Sequence, residues 1–166
     1  MQKIGWIGVG IMGKAMVRNL MKAGYQLHIY ARHPEKVADV VSEGAVFHDS
    51  IADCVKASDV VITMVGFPKD VEEVYFTPGA ILDSAAKDTL LIDMTTTSPT
   101  LAKRIAEEGA QRGLRVLDAP VTGGDTGAKA GTLSILVGGQ RADFDTALPI
   151  FQAMGKTITY FGPAGC

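Results

Sequence analysis

The amino-acid sequence predicts an α/β fold, a doubly wound, mostly parallel sheet with helices on both faces. Three observations carry this expectation. Short apolar runs alternate repeatedly with stretches of helical periodicity. Runs such as Asp59–Val65 and Thr89–Met94 are apolar or β-branched almost throughout, as strands covered on both faces must be. A glycine-rich turn leads from the first run straight into the first helical stretch.

Ile4–Val9 is a short apolar run, after which Met12, Ala15, Met16, Asn19, Leu20 and Ala23 recur at helical spacing until Gly24. Leu27–Tyr30 is the second strand, and Pro34 with Glu35 opens a helix that continues through Val37, Val40 and Val41. Asp59–Val65 is a buried strand, and Pro68 to Tyr75 a short helix. Thr89–Met94 is another strand, and Ser98-Pro99 opens a helix that runs to about Arg112. Leu114–Asp118 is the next strand. From Thr122 to Gly131 glycine and small residues dominate. Leu133–Val137 then reads as a strand, Arg141–Met154 as a helix and Thr157–Phe161 as a last strand. Right-handed crossovers would wind these units into one sheet.

Composition narrows the function classes. With 47% hydrophobic and 20% charged residues, the 166-residue chain can bury a core of ordinary domain size. A net charge of −2 argues against holding nucleic acid or an anionic membrane by bulk charge. Cys54 and Cys166 are far apart and form no metal or disulfide pattern, so a reducing compartment is expected. The opening residues lack the apolar stretch of a signal peptide, and no apolar segment is long enough to span a bilayer. A cytoplasmic location is the expectation.

Gly8-Val9-Gly10-Ile11-Met12-Gly13 matches G-x-G-x-x-G between a strand and a helix, the setting of a Rossmann-type dinucleotide fingerprint. Gly8 would permit the tight turn, Gly10 the approach of a pyrophosphate, and Gly13 the close packing of helix on strand. Backbone N–H groups around Ile11 and Met12 would face the anion. The alternative is a glycine turn used for packing alone. A site selective for NAD places a carboxylate at the end of the second strand. Here that region reads Tyr30-Ala31-Arg32-His33-Pro34, with no carboxylate before Glu35. Arg32 could clamp a 2′-phosphate bidentately, with His33 and Lys36 as auxiliaries, so NADP is the expected cofactor, with NAD possible. A solvated surface arginine is the competing reading.

The opening Ile4-Gly5-Trp6-Ile7 through Met16, with Asn19-Leu20, is similar to the cofactor signature of the 3-hydroxyisobutyrate dehydrogenase family. Asp118-Ala119-Pro120-Val121-Thr122-Gly123-Gly124, continuing through Gly131-Thr132-Leu133 to Val137-Gly138-Gly139, resembles that family's substrate-binding stretch. Ile92–Pro99 resembles its strand and loop beside the nicotinamide. The resemblance covers essentially the whole chain, and it implies a dehydrogenase or reductase of small 3-hydroxy acids or their semialdehydes. Thr122, Gly123 and Gly124 would then hold the substrate carboxylate, with a hydroxyl and glycine N–H groups forming an anion nest. Thr122 stands where a serine is more usual, and its added methyl narrows the pocket. Met64, Val65, Val71 and Thr96 would complete the cofactor site together with Ala31 and Arg32. A buried apolar role is the alternative for Met64 and Val71. Gly66-Phe67-Pro68 departs from the family's usual Leu-Pro wording.

The resemblance also implies a second domain. Residues 1–162 would form the nucleotide-binding domain, and 163–166 the start of a linker to an all-helical domain beyond Cys166. That domain would carry the acid–base lysine and much of the homo-oligomer interface. No catalytic residue is expected among the residues present, and the chain alone should bind nucleotide without turning over substrate. A 6-phosphogluconate dehydrogenase would need a larger sugar-phosphate site, which the stretch from Gly131 to Gly139 fits less well. A non-catalytic NADP(H)-binding module or redox sensor is the reading from a different class, although it would leave the carboxylate loop without a use.

Overall fold

The computed structural model describes residues 2–165. β1 (Lys3–Ile7), α1 (Ile11–Lys22) and β2 (Gln26–Tyr30) form the first winding unit. A 3-10 turn at Pro34–Val37 leads into α2 (Ala38–Ser42), β3 (Val46–Phe47) and α3 (Ile51–Lys56). The second half runs β4 (Val60–Thr63), α4 (Pro68–Phe76), α5 (Ile81–Ser84), β5 (Leu90–Asp93), α6 (Pro99–Gln111) and β6 (Arg115–Asp118). The final part is β7 (Val121–Thr122), α7 (Gly124–Ala130), β8 (Leu133–Gly139), α8 (Arg141–Met154) and β9 (Gly155–Gly162).

Among the described residues these nine strands form one sheet. Strands β3-β2-β1-β4-β5-β6 lie side by side and pair in parallel. β8 runs antiparallel to β6 and to β7, and β9 pairs with β8 in parallel. The predicted doubly wound, mostly parallel sheet is therefore what forms. The chain order reverses between β1 and β4, where β1 sends one crossover outward to β2 and the other half continues away from it. In open α/β sheets ligands bind outside the carboxyl ends of the strands at such a switch point.

Side-chain alternation sorts the core into two layers. Ile4, Trp6, Val60, Ile62, Leu90 and Ile92 pack with Met16, Val17 and Leu20 of α1 and with Phe144, Ala147 and Phe151 of α8. Ile7, Val61 and Leu91 face the other way, onto Cys54 and Val55 of α3, Val71 and Tyr75 of α4, and Leu101 and Ile105 of α6. Neighbouring residues of one strand feed opposite layers, which is why these runs carry almost no polar positions.

The structure adds elements that the apolar pattern did not single out. β3 is two residues long and lies on the edge, so it leaves little apolar signal. The start of α3 is set by Ser50, whose hydroxyl accepts the Asp53 N–H at 3.1 Å. The glycine-rich stretch contains α7, stopped at Gly131 in the left-handed region. Glycine content hides this helix from periodicity, yet α7 is fixed from outside: the Asn19 side chain of α1 donates to the Ala128 carbonyl at 2.7 Å. β1 and β4 both stop short of the apolar run that predicted them, at Ile7 and Thr63, because the chain turns there.

Asn19→Ala removes that cross-helix bond and leaves the Ala128 carbonyl without it. We expect a loss of about 1 kcal/mol, or roughly 2–4 °C in Tm, measured by thermal unfolding.

Candidate nucleotide-binding site

The three glycines of the fingerprint differ in what surrounds them. Gly8 has φ +96°, a conformation that side chains rarely adopt, and a Cβ there would lie 2.3 Å from the Met64 carbonyl oxygen. Gly13 packs so closely that a Cβ would meet the Gly8 carbonyl at 3.0 Å and the Trp6 indole nitrogen at 3.2 Å. A Cβ at Gly10 would meet nothing within 4 Å. Gly10 is thus bare toward open space, as a backbone that a phosphate approaches should be. It is also the N-cap of α1, whose first turn holds no acidic residue. The first N–H groups of a helix have no intrahelical acceptor, and the helix dipole makes that end favourable to an anion. The residues present therefore fit a pyrophosphate.

A cleft of about 290 Å³ opens beside this turn. Gly8, Val9 and Gly10 form its floor, Tyr30 to His33 with Lys36 one wall, and Met64 to Gly66 with Asp70 and Val74 the other. Its basic groups are Arg32, His33 and Lys36, all at or just beyond the end of β2. The acidic group in the lining, Asp70, is occupied locally: its carboxylate accepts the Phe67 N–H at 3.0 Å and so caps α4. Arg32 lies 3.8 Å from the Glu73 carboxylate on α4, both side chains being more than half exposed. That distance is loose for an ion pair, and exposed pairs of this kind hold little energy, so the guanidinium can be recruited by a ligand.

Of the cofactor residues proposed from sequence, Gly8, Gly10, Ala31, Arg32, Met64 and Val65 come together in this cleft. Ile11 is exposed at the start of α1, and Met12 is half-buried against the core. Gly13 serves the packing just described. Val71 is fully buried in the layer that holds Tyr75, Ile81 and Leu101, and Val74, one turn further along α4, lines the cleft instead. Thr96 is exposed in the loop after β5 and lies outside the cleft lining. Thr122, Gly123 and Gly124 sit apart from the cleft, at the end of β7 and the start of α7, and all three are exposed. Gly123 and Gly124 have φ of +133° and +62°, so this turn depends on glycine. Cys166 lies outside the described residues.

Sequence reasoning did not find a buried polar group beneath the cleft. Tyr75, Thr63, Asp93 and Thr95 are each almost fully buried. The Tyr75 and Thr63 hydroxyls lie 2.8 Å apart, and Thr63 Oγ1 donates to Asp93 Oδ1 at 2.9 Å. The Thr95 N–H donates to the same oxygen at 3.1 Å, and the Val65 N–H donates to Thr95 Oγ1 at 3.0 Å. Asp93 Oδ2 has no hydrogen-bond partner among the described residues. The signal was a carboxylate closing an otherwise apolar strand, where a charge has no place without partners. Burial pushes the Asp93 carboxyl up to about 6, against the opposing hydrogen bonds from Thr95 and Thr63. Asp118, its in-register neighbour on β6, raises it further. Burial also raises Asp118, while the Gly165 N–H, donating to it at 3.1 Å, works the other way.

A first strand that passes through three glycines into a helix, under a cleft at the switch point of a parallel sheet, defines a dinucleotide-binding domain. The chain belongs to the family described as the NAD binding domain of 6-phosphogluconate dehydrogenase, which matches residues 3–162. It is 49% identical over 162 residues to the uncharacterized oxidoreductase YkwC of Bacillus subtilis, covering 98% of this chain and 56% of that protein. It is 41% identical over 165 residues to an NAD-dependent L-serine dehydrogenase of Pseudomonas aeruginosa, covering 99% and 55%. Its fold matches that of Mycobacterium tuberculosis 3-hydroxyisobutyrate dehydrogenase with L-serine at a TM-score of 0.93 and 34% identity, covering 99% and 56%. The sequence resemblance to the 3-hydroxyisobutyrate dehydrogenases is borne out. The chain spans about half the length of the curated relatives it matches. No helix among the described residues is long and apolar enough to cross a membrane.

The raised Asp93 carboxyl has a defined linkage to stability. Below about pH 3 the group is protonated both folded and unfolded, and its burial carries no charge penalty. As pH rises toward about 6 the unfolded chain ionises freely while the native state resists, so stability is lost. Asp93→Asn removes this titration. The stability of the native protein relative to Asp93→Asn should fall by about 3 kcal/mol between about pH 3 and pH 7, measured by urea unfolding across that range.

Proposed function

We propose that this chain is the nucleotide-binding domain, residues 1–162, of an NADP(H)-dependent oxidoreductase. Its substrates are small 3-hydroxy acids or their semialdehydes, of the 3-hydroxyisobutyrate, tartronate semialdehyde, glyoxylate or succinic semialdehyde type. The observation that carries the cofactor reading is the wall at the end of β2. Where an NAD-selective site would present a carboxylate to the ribose 2′-hydroxyl, the cleft presents Arg32 with His33 and Lys36. A guanidinium can grip a 2′-phosphate through two parallel N–H bonds, and the Lys36 ammonium adds positive field. The cofactor supplies or accepts the hydride when bound.

The chain's own residues bind and orient. The N–H groups around Gly10, Ile11 and Met12 take the pyrophosphate, while Ala31, Met64 and Val65 enclose the adenosine side and exclude water from it. Thr96 approaches the nicotinamide ribose, and Val71 supports α4 from behind. Thr122, Gly123 and Gly124 hold the substrate carboxylate, a role supported by their exposure and by the positive-φ glycine backbone from which anion nests are built. The acid–base lysine and the surfaces for a homo-oligomer belong to a helical domain beyond residues 163–166, and the reaction takes place in the cytoplasm.

Parallel fluorescence titrations with NADPH and NADH test the cofactor reading. The native chain should bind NADPH more tightly, and Arg32→Ala should weaken NADPH about tenfold or more while leaving NADH within about threefold. Equal affinities in the native chain would overturn the NADP preference, and binding of neither nucleotide would overturn the whole reading.

A further inference from the structure

The buried polar group behind the cleft lies outside the cleft lining, yet it ends on a residue of that lining, Val65. Thr63, Asp93 and Thr95 sit at the carboxyl ends of β4 and β5, in a region where Val60–Ile62 and Leu90–Ile92 are wholly apolar. Four buried polar side chains cost desolvation that well-packed apolar ones would avoid. What they gain is direction. Each bond in the series from Tyr75 through Thr63 and Asp93 to Thr95 fixes the next group, and the last bond is made to the backbone of Val65.

Val65 is a wall of the cleft and also leans on the phosphate turn. A Cβ on Gly8 would lie 2.7 Å from Val65 Cγ1. A small shift of Val65 is therefore felt at Gly8, and through Gly8 by the N–H groups of the turn. Met64, the residue before it, is tied to β1 by its N–H on the Ile7 carbonyl at 3.0 Å. The Val65 N–H is held by a side chain instead, the Thr95 hydroxyl from the neighbouring strand's loop.

We infer that Thr95, oriented by Asp93, is a positioning residue for the bound nucleotide: its hydroxyl fixes Val65 against Gly8 and so sets the width of the cleft. This rests on the nucleotide-binding reading of the cleft and extends it to a residue that the nucleotide does not touch. Because Val65 and Gly8 meet the part of the cofactor that NADH and NADPH share, Thr95 acts on both alike, whereas Arg32 acts on one.

The test compares the native chain with Thr95→Val, which keeps the shape and loses the hydroxyl, and Thr95→Ser, which keeps the hydroxyl. Dissociation constants for NADH and NADPH are read by fluorescence titration. Thr95→Val should weaken both nucleotides by the same factor, about tenfold, and Thr95→Ser should restore both to within about twofold of the native values. In the native chain without nucleotide, the Val65 amide should exchange with solvent deuterium at least about tenfold more slowly than an open amide, a measurement independent of how the variants fold. Unchanged affinities in Thr95→Val, failure of Thr95→Ser to restore them, or an unprotected Val65 amide would each overturn the inference. Binding of neither nucleotide by the native chain would instead overturn the nucleotide-binding reading beneath it.

Discussion

The contact on which the site depends is the approach of the β4 exit to Gly8. The Met64 carbonyl and the Val65 side chain occupy the space that any side chain at position 8 would need. That approach closes the bottom of the cleft and turns the chain out of β1 with a positive φ, which presents Gly10 and the start of α1 toward open space. Parallel pairing of β1 with β4 makes it possible, since Ile7 and Thr63 are register partners and the residues after them leave the sheet side by side. The phosphate turn is thus a product of two strands and not of the glycine motif alone.

Charge is distributed around that turn with a clear division. The rim at the end of β2 is basic and exposed, which lets Arg32 and Lys36 move to meet an anion. Beneath the opposite wall lies Asp93, buried and next to Asp118, where ionisation is resisted. A carboxylate at the rim would repel a 2′-phosphate. Placed beneath the opposite wall and engaged with Thr63 and Thr95, it orders a loop instead. The same residue type thus has different uses at two depths of one sheet edge.

Much of the fold was legible because sheet burial writes itself into composition. Val60–Ile62 and Leu90–Ile92 are covered on both faces, so they read as continuous apolar runs, and the fingerprint glycines announce the first turn. β3 and α7 were not legible for opposite reasons. β3 is only Val46-Phe47, too short a run to show a strand pattern, and α7 is made of glycine, alanine and polar residues whose helical state is enforced by packing on α1. In the site, Gly8, Gly10, Ala31 and Arg32 could be placed by motif and strand end, and Met64 and Val65 by the family resemblance. Val74 and the polar series through Asp93 could not, because they enter through the rotation of α4 and the pairing of β4 with β5.

The doubly wound sheet, the phosphate turn and the lack of a carboxylate at the end of β2 are all written in the order of the residues. Each of these is local: a run of apolar residues, three glycines at fixed spacing, one side chain at a strand end. Three other features arise only when the strands have paired. They are the face of α4 that meets the cleft, the burial of Asp93 beside Asp118, and the reach of Thr95 back to Val65. They join residues far apart in the chain, and no local pattern encodes the register that brings such residues together.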